Sequence, residues 1–267
     1  MLGAIVGDII GSVYEFDRIK AKDFELFADY HGETCAFTDD TVMTLAVAQA
    51  LLDSRSDYRA LSDNANRRMR EIGRKHPNCG YGGRFGMWVF LDDSQPYGSF
   101  GNGAAMRVSP VAFAASSMEE ALFFSDEVTK ISHNHSEGIK GARATAACVF
   151  LAKIGKGKDE IKEYVQANYY PLARSLDEIR PEYQFNETCQ NTVPQAIQAF
   201  LEAEDFEDAI RNAVSLGGDS DTLAAITGGI AEAYFGIPDW LVRKAREYLT
   251  PDLLLILDRF EETYRQR

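Results

Sequence analysis

The chain has 267 residues, 41 acidic against 28 basic side chains, a formal net charge of −13 and a globular composition that is 45% hydrophobic. A surface this acidic repels phosphate backbones, which argues against general nucleic-acid binding. No apolar run approaches the ~20 residues that cross a bilayer, and the opening MLGAIVGDII has no basic segment and carries Asp8 within its apolar run, unlike a signal peptide.

The patterning predicts helices nearly throughout and no sheet. At the start, glycines 3, 7 and 11 form a stripe at four-residue spacing that lets a neighbouring helix approach closely. A second apolar helix is expected over 40–52, DTVMTLAVAQALL. Residues 74–104 are glycine-rich, aromatic and poorly periodic, the composition of a functional loop. Residues 117–131 open with a capping box in which Ser117 and Glu120 satisfy each other's backbone donors. Apolar residues at three- and four-residue spacing predict further helices over 158–168, 191–204, 205–216, 239–248 and 251–265. Between the helices expected at 205–216 and 239–248 lies a third interior helix, 222–235. Cys35, Cys79, Cys148 and Cys189 are far apart and form no C-x-x-C pair, so reduced, mostly buried thiols in a cytoplasm are expected. The expectation is an all-α, compact multi-helix single domain spanning 1–267.

Two helix mouths carry more oxygen than capping needs. FTDDT (37–41) places Thr38, Asp39 and Asp40 before one apolar helix; GGDSDT (217–222) places Asp219, Asp221 and Thr222 before another. Taken singly, each reads as an N-cap complementing the helix dipole. Together they offer four carboxylates and two hydroxyls. If the mouths converge, these make a hard, all-oxygen site suited to Mg²⁺ or Mn²⁺, with carboxylates enough for two ions and one bridge. DSD lacks the glycine and glutamate an EF-hand requires, and neither cluster contains the His or Cys that zinc prefers. Glu15 follows the first helix. GNGAAMR (101–107) reads as a loop-to-helix turn or as a nest of amides for an anion. His133 and His135 of SHNHSEG read as metal ligands, general bases or interhelical polar residues, and, with the metal oxygens supplied elsewhere, as substrate contacts before ligands.

Taken in this order, GDIIGSVYEF, FTDDT, GSFGNGAAMR, SHNHSEG and GGDSDT resemble the ADP-ribosylglycohydrolase family, and the likeness runs from residue 3 to residue 236. The resemblance implies an all-α fold and two Mg²⁺ (or Mn²⁺) ions. It also implies hydrolysis of the glycosidic bond between ADP-ribose and an acceptor, either an ADP-ribosylated protein or an ADP-ribose-containing small molecule. It implies Thr38, Asp39, Asp40, Asp219, Asp221 and Thr222 as metal ligands, with Asp221 the bridge, and Glu15, Asp39 and Asp40 as catalytic residues. Ser99, Gly101, Asn102, Gly103 and His133 are implied as substrate contacts. Phe100 stands where some members of that family carry Tyr. Two other readings stay open: a catalytically inactive ADP-ribose-binding or structural relative, and a different two-metal hydrolase such as a phosphoesterase.

Overall fold

The computed structural model describes residues 1–17, 19–92 and 95–264. In chain order the helices are α1 (Leu2–Gly11), α2 (Asp39–Asp53), α3 (Leu61–Lys75), α4 (Gly83–Phe90), α5 (Gly103–Met106), α6 (Ser109–Ala114), α7 (Met118–Thr129), α8 (Ser136–Lys153), α9 (Lys158–Asn168), α10 (Leu176–Ile179), α11 (Cys189–Leu201), α12 (Phe206–Val214), α13 (Ser220–Phe235), α14 (Asp239–Tyr248) and α15 (Pro251–Tyr264). Short 3₁₀ turns follow α1 and precede α3. The only strands among the described residues are a two-residue hairpin pair, Asp29–Tyr30 and Glu33–Thr34. Its turn residues His31 and Gly32 both have positive φ, as a tight two-residue hairpin demands.

The glycine stripe sets the centre of the fold. Every residue of α1 is buried, and the helix lies antiparallel against α13, with Gly3 facing Gly228, Gly7 facing Ala224 and Gly11 facing Ser220. A Cβ on Gly11 would sit 2.5 Å from the Ser220 carbonyl oxygen, and one on Gly7 would overlap the Ala224 carbonyl. The two backbones are therefore in direct contact, and any side chain between them would force them apart. Because the helices run in opposite directions, the C-terminal end of α1, and Glu15 beyond it, comes to the N-terminal mouth of α13. Helix α2 packs on the same pair, and α5, α8, α11 and α12 complete the shell around α13. One hydrophobic cluster joins all of these elements.

Boundaries follow local chemistry. Helices α9 and α14 begin and end where the periodicity places them. Ser117 caps α7 by accepting from the Glu120 amide at 3.1 Å. The return half of the box is shifted by one residue: the Glu120 carboxylate takes the Ser116 amide rather than that of Ser117. The described part of 74–104, all but residues 93 and 94, carries more regular structure than its composition suggests. Within it, α4 buries Phe85, Trp88 and Val89, an i, i+3, i+4 face hidden among glycines. Cys35, Cys148 and Cys189 are buried, Cys79 is half-buried, and all four are free thiols. No helix among the described residues is long and apolar enough to cross a membrane.

Candidate functional site

The mouths of α2 and α13 meet. A cavity of about 320 Å³ is lined by Glu15, Thr38, Asp39, Asp40, Ser99, Gly101, Asn102, Gly103, His133, Asp219, Asp221 and Thr222, the complete set expected from the sequence. A larger cavity of about 640 Å³ lies behind the 182–186 segment, but only Glu182 among its lining residues is acidic. The chemistry therefore points to the smaller one.

Within it the carboxylates form two groups. Asp8, Asp40 and Asp221 have oxygens within 4.8 Å of one another, and so do Glu15, Asp219 and Asp221. Asp221 belongs to both, a geometry suited to a bridging carboxylate. The donors are all oxygen, the set that hard divalent cations favour. Asp40 Oδ1 is buried and has no hydrogen-bond partner among the described residues, an orphan that a cation would satisfy.

Capping accounts for only part of the charge. Thr38 is a true N-cap, its hydroxyl oxygen accepting from the Asp40 amide at 3.2 Å. Asp219 occupies the N-cap position of α13 without making a side-chain cap; its Oδ2 instead accepts from Asn102 Nδ2 at 2.7 Å. Asp221 Oδ1 accepts the Thr222 amide at 2.9 Å, and the Thr222 hydroxyl lies 3.3 Å from Asp40 Oδ2, joining the two mouths.

Crowding these acids away from water raises their proton affinity. Burial, reinforced by Asp219 and Asp39, pushes Glu15 up to about 8. Burial and the neighbouring Asp8 and Asp219 push Asp39 up to about 8 as well. Asp40 is raised well above the usual carboxylate range by burial first and then by Asp8, Asp39 and Asp219, and Asp221 by burial first and then by Asp219, Asp40 and Glu15. Like charges at this spacing cannot all ionise without a cation among them.

The sequence reading missed Asp8, which it used only to exclude a signal peptide. Fully buried on α1, Asp8 accepts from the amides of Thr38 (3.0 Å) and Thr41 (3.1 Å), from the Thr38 hydroxyl (2.7 Å) and from the Thr41 hydroxyl. It thus ties the mouth of α2 to α1. A carboxylate alone in an apolar helix was the available signal; its partners lie some thirty residues away, beyond any local pattern.

The 99–103 loop forms the facing wall. The Gly101 and Asn102 amides donate to Ser99 Oγ (3.2 Å) and the Glu187 carbonyl (2.8 Å), and Cys189 donates to the Phe100 carbonyl (2.9 Å). This loop is zipped onto residues 186–189, so those amides are not the open anion nest that the glycines suggest. Asn102 is buried and donates to Thr192 as well as Asp219, so it orients a carboxylate from beneath the loop. His133 is 4% exposed, with the rings of Phe85 and Tyr97 at 5.8 and 5.9 Å. His135 instead caps α8, its Nδ1 accepting the Glu137 amide at 3.1 Å. Phe100 is 43% exposed, its ring 5.2 Å from that of His135. Glu187, Arg84 and Tyr97 also line the cavity and had no sequence signature.

Comparison with known proteins agrees with the geometry. The chain is 27% identical to the ADP-ribosylhydrolase ARH3 of Bos taurus over 95% of its length and 89% of that protein. It is 25% identical to the ADP-ribosylarginine hydrolase Tri1 of Pseudomonas putida (strain GB-1), over 92% of its length and 73% of that protein. A solved structure titled ADP-ribosylglycohydrolase-related protein complex superposes with a TM-score of 0.66 at 25% identity, covering 97% of this chain and 95% of that one. The sequence profile of the ADP-ribosylglycohydrolase family matches residues 1–267, and the chain belongs to that family.

Proposed function

We propose that this chain hydrolyses the glycosidic bond between ADP-ribose and an acceptor, a modified protein side chain or a small molecule, and releases ADP-ribose. The observation that carries the reading is the pair of acidic groups sharing Asp221 inside one cavity that also holds the 99–103 loop and His133. The names of the similar hydrolases support the same reaction class.

Thr38, Asp39, Asp40, Asp219, Asp221 and Thr222 would hold divalent cations, Mg²⁺ or Mn²⁺, two of them if Asp221 serves both acidic groups. When bound, such ions supply the positive charge that makes an acidic cleft attractive to a diphosphate, and they lower the pKa of a water molecule. The protein's own residues do the rest. Asp39 and Asp40 fix the orientation of the reacting centre from the mouth of α2. Glu15, grouped with Asp219 and Asp221, is the acid/base: it would give a proton to the departing acceptor and take one from the attacking water. Cleavage at the anomeric carbon develops oxocarbenium character, which the surrounding carboxylates stabilise electrostatically. Ser99 and His133 contact the substrate's oxygens, Gly101 and Gly103 leave room for them beside the loop, and Asn102 braces Asp219. Four free thiols fit a cytoplasmic setting.

Release of ADP-ribose from defined arginine-linked, serine-linked and O-acetyl substrates, with Mg²⁺ or Mn²⁺, tests the reading. Turnover with at least one acceptor is expected, abolished by chelation. Bound metal without turnover on any of them favours the inactive-relative reading, and AMP as product favours a phosphoesterase.

A further inference from the structure

Arg107 closes the GNGAAMR segment and is 0% exposed, yet it does not line the cavity. A guanidinium carries only donors. Its Nη2 donates to Ser132 Oγ at 2.8 Å and lies 3.3 Å from His133 Nδ1, while Ser132 Oγ is 2.9 Å from the same nitrogen. Arg107 Nη2 can only donate, so a proton on His133 Nδ1 would set two donors face to face; a bare Nδ1 instead accepts from Arg107, and the Ser132 hydroxyl, which accepts from Arg107, can turn its own proton to the same nitrogen. The imidazole proton must then sit on Nε2. We propose that Arg107, through Ser132, locks His133 as the Nε2–H tautomer, so that the ring presents one fixed donor to a substrate oxygen beside the 99–103 loop.

The rest of the environment agrees. Burial, with the Arg107 charge beside it, holds His133 well below the usual histidine range, so the ring is neutral. Phe85 and Tyr97 flank it, and Arg107 lies 5.1 Å over the Phe85 ring. The Nε2 end faces glycines: a Cβ on Gly103 would lie 3.2 Å from Nε2, and one on Gly101 3.6 Å. Those two positions leave room for a ligand oxygen to reach the N–H. Arg107 is thus a positioning residue, acting on substrate only through His133. The oxygen's identity rests on the ADP-ribose reading; the tautomer does not.

Long-range ¹⁵N–¹H correlation spectra of the whole protein test the lock, because the chain has four histidines and His133→Gln assigns the resonance. The Nε2–H tautomer is expected from pH 5.5 to 8.5. An Nδ1–H tautomer, or an imidazolium at pH 6, overturns the proposal. Arg107→Met should give mixed tautomers while Arg107→Lys restores the single form; if neither folds, the wild-type spectrum alone decides. Calorimetry with ADP-ribose tests the donor. His133→Gln, whose amide nitrogen reaches the Nε2 position, should weaken binding a few-fold, and His133→Asn about tenfold or more. Equal losses contradict the Nε2 donor. A wild-type protein that shows the tautomer but fails to bind ADP-ribose overturns the functional reading and the donor role with it, and leaves the lock standing.

Discussion

Glu15 stands where the first helix has already ended, held by a turn whose preceding residue, Tyr14, is buried and hydrogen-bonded to the Glu25 carbonyl at 2.7 Å. Its carboxylate groups with those of Asp219 and Asp221, so replacing it removes the proposed acid/base without removing a structural ion pair. Glu15→Gln should lower turnover by ~10²–10⁴-fold, with ADP-ribose binding by calorimetry largely kept; an equal loss of both contradicts the role. Asp8 makes a different prediction. Four donors converge on it, and an asparagine would turn its amide nitrogen toward some of them. Asp8→Asn should cost ~2–3 kcal/mol in denaturant unfolding and weaken Mn²⁺ binding ~10–100-fold by loosening the mouth of α2. The two residues also mark the reach of the sequence. Thr38, Asp39, Asp40, Asp219, Asp221 and Thr222 were legible because cap residues in surplus break a local rule. Asp8, Arg107 and Glu187 were not, because each acts through partners that sequence spacing does not announce.

Among the elements, the α1–α13 pair sets where the candidate site assembles. Backbone contact at Gly3–Gly228 and Gly7–Ala224 fixes where the C-terminal end of α1 meets the mouth of α13. Gly7→Ala should destabilise the protein by ~1–3 kcal/mol or more, measured by chemical denaturation, and lower metal affinity together with stability. A variant that loses stability but keeps wild-type metal affinity would show that the pair is only scaffold. The helical content and the interior nature of α1, α2 and α13 followed from periodicity and small-residue stripes. What did not follow was α4, whose apolar face is interrupted by Gly83 and Gly86, and the zipper of the 99–103 loop on 186–189, which is a long-range pairing. Gly218 likewise has a reason that the sequence hides: a Cβ there would overlap the ring of Tyr183, not the carboxylates.

At the scale of the whole molecule, an acidic chain concentrates further acids in its interior, and that couples stability to pH and to cations. Asp8, pushed up by burial to about 6, and Glu15 and Asp39, at about 8, keep protons that the unfolded chain releases near its ordinary carboxylate values. Between those limits the folded state binds more protons, so the metal-free protein loses stability as pH rises from ~4 to ~8. Divalent cations bound to the deprotonated cluster would reverse this, contributing ~2.7 kcal/mol at a hundredfold excess over Kd. Calorimetric melting in chelator should give a lower Tm at pH 8 than at pH 5.5, and the rise on adding Mg²⁺ should be larger at pH 8. Surface repulsion from the net charge of −13 acts in the same direction, so Asp39→Asn serves as the control: it should flatten the pH dependence measured in chelator. The most direct test of the account is the electron paramagnetic resonance spectrum of the Mn²⁺-loaded protein. Two ions per chain, exchange-coupled in the wild type and uncoupled in Asp221→Asn, are the predicted result. A single ion, or two uncoupled ions in the wild type, would contradict a site built around Asp221.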